Sequence, residues 1–425
     1  MLHSQRKFMK RQINPTVKAH LIRGASFLFL LSAVGWISLA LAQWQIAGLT
    51  TTEKPTGVAC TPGWSAGPDM PSTGVRMVGI YFPGNGRFYT IGGRSMDGVG
   101  NDFTHPFEYD PASNTWAIKS ATYPDNQVSN MACGVVTDSG TDYIYCIGGS
   151  AGGQTTATDR VFRYNPVTDV IETIAAPWPG DSDGITLPGG FAVFENKLYI
   201  FGGFRINTAM TETIWEFTPT TNTWVQKNAV LPVARGYIPT ATYFGFIYTA
   251  GGSDWDGTTL VDTADSFRYD PVADSIATVD NIPRATGETR ALKFAGPIAP
   301  CSPAIWVMGG GRTPPNPSNE VDTFCPGGPP PTWRMGPPFV TARRNFPTDT
   351  DVGNPAFGSA HIWLAGGYAS DGVTPLSSME IYCHAVPTPS EPPGTPTATP
   401  TASPTATATR PTPTPRPRLS PAPRP

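Results

Sequence analysis

Six times the chain runs an aromatic or aliphatic stretch into a pair of adjacent glycines. The stretches are Tyr89-Thr90-Ile91-Gly92-Gly93, Tyr145-Cys146-Ile147-Gly148-Gly149, Tyr199-Ile200-Phe201-Gly202-Gly203, Tyr248-Thr249-Ala250-Gly251-Gly252, Trp306-Val307-Met308-Gly309-Gly310 and Trp363-Leu364-Ala365-Gly366-Gly367. Successive pairs lie 49 to 58 residues apart, so one unit is repeated along the chain. A second mark keeps step 14 to 17 residues later: Tyr109, Tyr164, Phe217, Tyr269, Phe324 and Tyr382, with proline two residues on in all but the last. A third follows seven residues after that in four units: Trp116, Ile171, Trp224 and Ile276.

A unit of this length has too little apolar surface to fold alone and must stack on its neighbours. Phe191-Ala192-Val193-Phe194 and Lys197-Leu198-Tyr199-Ile200-Phe201 are short, aromatic or β-branched, and bounded by turn residues, which reads as strand. Four strands per unit account for the marks. The first approaches the glycine pair, the second ends on it, the third carries the aromatic, and the fourth carries the Trp or Ile. Adjacent glycines at a strand end allow positive φ and close backbone approach. After the leader no ten-residue stretch holds a helical apolar period, so the expected class is all-β.

These residues resemble the Kelch-repeat family, whose units run hydrophobic strand, Gly-Gly, aromatic-Asp-Pro, then Trp. The resemblance covers about residues 58–386 and implies a six-bladed β-propeller with four-stranded blades around a central channel. Ile171 and Ile276 depart from it, standing where the family has Trp. Trp116, Trp224 and Trp333 are expected at equivalent packing positions, as large buried aromatics. The sixth unit stops after Tyr382-Cys383, whereas Ala59-Cys60-Thr61-Pro62-Gly63-Trp64 looks like a fourth strand without its first three. The N-terminal segment is therefore expected to complete the last blade, covering strand edges that would otherwise invite pairing. Six cysteines allow 15 connectivities. The repeat register favours Cys60–Cys383, Cys133–Cys146 and Cys301–Cys325, with six buried free thiols as the alternative.

Arg6, Lys7, Lys10, Arg11, Lys18 and Arg23 precede an uncharged apolar run from Ala25 to Ala42 that ends Ala40-Leu41-Ala42. This reads as a signal peptide at 1–42, cut before Gln43. An uncleaved anchor is the alternative, since the run is long enough to span a bilayer. Either places the remainder outside the cytoplasm, secreted or at the cell surface, in keeping with paired cysteines. Residues 43–57 read as a linker. From 387 to 425 the chain is Pro, Thr, Ala, Ser and Arg apart from Glu391, Gly394 and Leu419, without an aromatic, which reads as a disordered spacer or stalk. The formal charge of −3 argues against nucleic acid as the main partner. A monomer is expected.

Groups for chemistry are few. Past the leader only His105, His361 and His384 occur, with no H-x-x-x-H and no C-x-x-C, so neither a metal site nor a cofactor is expected. Some Kelch-like propellers are copper radical oxidases, which need two histidines, two tyrosines and a free cysteine, and that activity does not fit here. Loops such as Met96-Asp97-Gly98-Val99-Gly100-Asn101-Asp102, Asp254-Trp255-Asp256-Gly257 and Ser370-Asp371-Gly372 lack calcium-loop spacing and read as turns.

Arginines give the strongest functional signal. Arg76, Arg235, Arg290 and Arg344 stand near starts of first strands, and Arg94, Arg205 and Arg312 follow glycine pairs. The Kelch resemblance puts both loop sets on one face around the channel mouth, where guanidiniums suit capture of carboxylate, sulfate or phosphate. Trp255, Phe204 and Tyr368 could offer flat faces to a sugar ring or peptide side chain. The competing role is structural, with arginines tying blades through backbone carbonyls. Two functions follow. One is a secreted binding module for a glycan or extracellular protein. The other is an extracytoplasmic sugar mutarotase or epimerase, as some bacterial Kelch propellers are, with Glu288 and Arg290 as candidate catalytic residues.

Overall fold

The computed structural model describes residues 61–296, 301–328, 330–351 and 359–385. The expected signal peptide, linker and tail lie outside them, as does Cys60, so the Cys60–Cys383 pairing is not described.

The described chain is all-β, with one 3₁₀ turn at Pro179–Asp181. It begins with β1 (Gly63–Gly67). Blade one follows as β2 (Val78–Phe82), β3 (Arg87–Ile91), β4 (Phe107–Asp110) and β5 (Thr115–Ile118). Blade two is β6 (Ala132–Asp138), β7 (Thr141–Ile147), β8 (Val161–Asn165) and β9 (Val170–Ile174). Blade three is β10 (Thr186–Phe194), β11 (Lys197–Arg205), β12 (Ala209–Thr218) and β13 (Thr223–Val230). Blade four is β14 (Thr240–Tyr243), β15 (Phe246–Trp255), β16 (Leu260–Asp270) and β17 (Ser275–Thr278). Blade five is β18 (Ala291–Phe294), β19 (Ala304–Gly310), β20 (Ser318–Cys325) and β21 (Thr332–Met335), and blade six holds β22 (Thr348–Thr350), β23 (Ser359–Ala365) and β24 (Met379–Ala385). Strand β1 adds to β24 as the fourth strand of blade six, with Trp64 opposite Tyr382. Six four-stranded antiparallel blades thus form a propeller whose first and last described strands share one sheet.

The cores lie between blades. Ile80, Tyr89 and Ile91 of blade one pack with Cys133, Ile144 and Tyr164 of blade two, and the other junctions repeat the pattern. The glycine pairs make these junctions possible. Gly92 has φ 66°, and a Cβ there would lie 2.1 Å from the Val128 carbonyl oxygen of the next blade. Gly366, at φ 59°, would put one 2.4 Å from Gly74 O. Only glycine tolerates both conditions.

Each third-strand aromatic stands opposite the fourth-strand mark: Tyr109 faces Trp116, Tyr164 Ile171, Phe217 Trp224, Tyr269 Ile276 and Phe324 Trp333. The tryptophans are half-buried, which corrects the expectation of fully buried rings. Their indole N–H groups point to the preceding blade. Trp116 donates to Pro68 O at 2.9 Å, Trp224 to Ala176 O at 3.0 Å, Trp333 to Asp280 O at 2.8 Å and Trp64 to Pro337 O at 2.9 Å. Where Ile replaces Trp, an aspartate in the turn before the fourth strand does this work. Asp169 accepts from Ser120 N at 2.8 Å and Ser120 Oγ at 2.6 Å, and Asp274 accepts from Asn228 N at 2.8 Å.

Cys133–Cys146 and Cys301–Cys325 are bonded, as the repeat register favours. His361 lies within β23, with Nδ1 2.7 Å from Asp351. No helix among the described residues is long and apolar enough to cross a membrane.

Candidate functional site at the channel mouth

Strand register defines one equivalent position per blade on the first strand, inside the channel. Ile80, Gly134, Ala192, Ala241, Leu292 and Asp349 all stand opposite the aromatic that lies three residues before a glycine pair. Four residues earlier come Arg76, Asn130, Pro188, Tyr237, Glu288 and Asn345. Five of these six hold left-handed backbone, at φ 60° for Arg76, 60° for Asn130, 48° for Tyr237, 54° for Glu288 and 51° for Asn345. Their backbones form a collar. Asn130 N donates to Arg76 O, Arg76 N to Asn345 O, Asn345 N to Glu288 O and Glu288 N to Tyr237 O, at 2.7 to 3.1 Å. Pro188, with no N–H and a fixed negative φ, occupies the sixth place. Asn suits this conformation, whereas Arg, Tyr and Glu are strained in it by roughly 1–3 kcal/mol each. Strain of that kind marks a position selected for its side chain.

Glu288 anchors the site. Its side chain is fully buried, Arg312 donates to it through Nε at 2.7 Å and Nη2 at 2.6 Å, and Arg344 Nη1 holds its other oxygen. Burial alone would raise this carboxyl, but the two guanidiniums more than offset that and hold it at about 2. On the adjoining wall Arg76 Nε donates to the Tyr368 hydroxyl at 3.1 Å, which in turn donates to Asp97 at 2.7 Å. Tyr368 is fully buried and carries the Arg344 guanidinium over its ring at 4.3 Å and that of Arg76 at 5.5 Å. Arg94 lies alongside, its Nε 3.8 Å from Asp97 and without a hydrogen-bond partner. Burial, and then Arg76, lower the Arg94 pKa, whereas Asp97 is held below its ordinary value because Arg76 and the Tyr368 hydroxyl outweigh its burial.

Above the collar opens a funnel of about 320 Å³, walled by Arg76, Arg94 and Arg312 and by the rings of Phe204, Tyr237 and Trp255. Phe204 packs on Trp255 at 5.7 Å between centroids and on Tyr237 at 5.8 Å. Four guanidiniums, those of Arg76, Arg94, Arg312 and Arg344, meet two carboxylates, Glu288 and Asp97. The mouth therefore carries excess positive charge beside flat apolar faces, which suits an acidic group attached to a ring or side chain.

The sequence-derived arginines do not all converge, because they occupy different registers. Arg76 is at the collar position, Arg344 one residue before it, Arg235 two before and Arg290 two after. Arg235 turns outward, with Nη2 2.5 Å from Asp265 and Nη1 3.4 Å from Asp254. Arg205 pairs with Asp183 on the rim of blade three and does not line the funnel. Arg290 sits deeper, in the channel, where Nη1 reaches Gly79 O at 3.3 Å and its guanidinium lies 4.3 Å from the Phe191 ring. Glu288 and Arg290 do not pair. Ties to backbone carbonyls, made within the sequence-derived set by Arg290 and by Arg344 to Gly372 O, are also made by two arginines outside it. Arg343 donates to Gly366 O and Ser378 O, and Arg160 to Gln127 O and Gly148 O. Asp97, Tyr237, Asn130 and Asn345 join the site only once strand register is known.

A family model described as Kelch motif matches residues 131–170, which hold the first three strands of blade two. Among curated proteins, the chain is similar to Kelch-like protein terF of Aspergillus terreus, 27% identical over 57% of this chain and 51% of that protein. It is also similar to Kelch-like protein 35 of Mus musculus, 31% identical over 33% and 21%. Kelch repeat and BTB domain-containing protein 1 of Camelpox virus is 24% identical over 51% and 35%. The matched region thus spans about half, or less, of these relatives' length. Among solved structures, the one titled Structure of YjhT superposes with a TM-score of 0.55 at 14% identity, covering 75% of this chain and 99% of that one. This last likeness is one of fold.

Proposed function

The chain belongs to the Kelch-repeat family, and on that premise we propose that it is a secreted binding module that holds an acidic ligand, carried by a glycan or an extracellular protein, in the channel-mouth funnel. The observation that carries this reading is the convergence of Arg76, Arg94 and Arg312 on a cavity walled by Phe204, Tyr237 and Trp255. The Nη atoms of Arg76 make no hydrogen bond among the described residues, so they are free to meet a carboxylate or sulfate bidentately. Secretion is supported by the basic leader, the apolar run ending Ala40-Leu41-Ala42, and the Cys133–Cys146 and Cys301–Cys325 bonds.

Sugar isomerisation draws less support. A general acid or base works best with a pKa near the operating pH, whereas Glu288 is held at about 2 with both oxygens bonded to arginines. Arg290 spends its one hydrogen bond on Gly79 O and does not touch Glu288. An array of acidic and neutral glycans together with acidic peptides, followed by NMR of any bound sugar, tests the reading. Acidic members should bind without anomer exchange. Binding confined to neutral sugars, or accelerated exchange, would contradict it.

A further inference from the structure

Beneath the collar the channel narrows to a chamber of about 70 Å³, lined by Arg76, Tyr237, Glu288 and Asn345 above and by Phe191 and Arg290 below. Arg290 enters from blade five, yet it touches Gly79 of blade one and Phe191 of blade three. Its guanidinium therefore crosses the channel. Below it a second cavity of about 570 Å³ continues along Tyr81, Gly134 and Asp349.

We propose that this chamber is a binding site for a small monoanion of halide size, held on the axis by Arg290. Of the five donors of Arg290 a single one is used, in a 3.3 Å hydrogen bond, and no carboxylate lies within ion-pairing distance of it among the described residues. Arg290 is half-buried, and a guanidinium placed there without a contacting carboxylate leaves positive charge facing the channel. Asn345, which also lines the chamber, is 8% exposed and has an amide nitrogen without a hydrogen-bond partner. The nearest acid above, Glu288, is neutralised by Arg312 and Arg344, so it does not screen the chamber. Asp349, on the far side of Arg290, accepts from Tyr81 N at 2.7 Å; burial pushes its carboxyl above the ordinary value although the Arg290 charge opposes this, and, lying beyond ion-pair distance, it compensates Arg290 only at long range. The unspent charge is thus positive, and the space admits one desolvated ion, with at most a water or two. This site is separate from the funnel and stands or falls without it.

The test is anomalous diffraction from crystals of the whole protein soaked in sodium bromide, alongside melting in potassium chloride against potassium gluconate at equal ionic strength. A bromide peak should appear on the channel axis within reach of the Arg290 guanidinium, and chloride should raise the melting temperature saturably, by about 2 °C. Asn345→Asp keeps a residue suited to left-handed backbone but adds a negative charge, and should abolish both effects. An empty chamber in the wild-type map overturns the proposal, whether or not the variant folds. A peak that persists undiminished in N345D also overturns it.

Discussion

Asp169 and Asp274 hold left-handed backbone in the turns of blades two and four, at φ 55° and 48°. Blades one and three have Asn114 and Asn222 at this place, each followed two residues later by a tryptophan. The two solutions exchange one donor for several accepted hydrogen bonds. A Trp indole gives a single neutral hydrogen bond to the preceding blade, worth about 1 kcal/mol, whereas an aspartate accepting two or three N–H and O–H donors is worth roughly 1.5–3 kcal/mol. Asp169→Asn keeps the backbone conformation but loses the charge, and should cost about 1–2 kcal/mol, measured by denaturant unfolding. The same exchange predicts a pH effect. Burial raises both carboxyls, but the hydrogen bonds from Ser120, and those from Asn228, outweigh it and hold each below its ordinary value. Groups depressed in the folded state add stability that is complete above the ordinary aspartate range and is lost as pH falls from about 4 through the folded value. The stability difference between wild type and a D169N/D274N double variant should therefore be constant above about pH 5 and shrink below pH 4. A difference that grows on acidification would refute the assignment. Asp322, raised by burial, titrates in both proteins and cancels in the comparison.

At the scale of the strand, closure depends on β1. Trp64 packs on Tyr382 at 5.1 Å and Phe339 at 5.7 Å, and donates across to blade five. Trp64→Ala should cost about 2–4 kcal/mol, below the usual range for a fully buried ring because this one is half-buried. Amide exchange should accelerate first in β24 and β21. Uniform acceleration around the ring would argue against a local closure. Cys133 and Cys146 stand opposite one another on β6 and β7, and replacing both with Ala should cost roughly 3 kcal/mol for a loop of this length. Much of this was legible in the sequence. Glycine pairs, third-strand aromatics and an orphan Trp64 sufficed for blade number and closure, because each reports a local backbone demand that recurs. The Asp169 and Asp274 ties were not legible. Asp before a strand reads first as a turn residue, and its partner in the preceding blade lies 45 to 49 residues away.

Over the whole molecule, five residue types at six equivalent positions turn a repetitive scaffold into an asymmetric mouth. Arg76, Tyr237 and Glu288 supply charge and surface, Asn130 and Asn345 complete the collar, and Pro188 interrupts it. Sequence spacing alone groups seven arginines, but Arg235 and Arg290 stand two residues before and two after the collar position and so lie off its level. Arg235 thus leaves the mouth for Asp265, and Arg290 descends into the channel. The same logic offers a clean perturbation. Asn already occupies the Arg76 position in blades two and six, so Arg76→Asn should preserve the collar while removing a guanidinium from the funnel. The most direct measurement is calorimetric titration of wild type and R76N, side by side, with an acidic ligand from the array and its neutral amide. Wild type should prefer the acid, and R76N should lose roughly ten- to hundredfold in affinity for it, the worth of one charged hydrogen-bonding group, with the melting temperature nearly unchanged and the amide unaffected. Equal affinity of both proteins for the acid, or a large fall in melting temperature without a change in binding, would contradict the account.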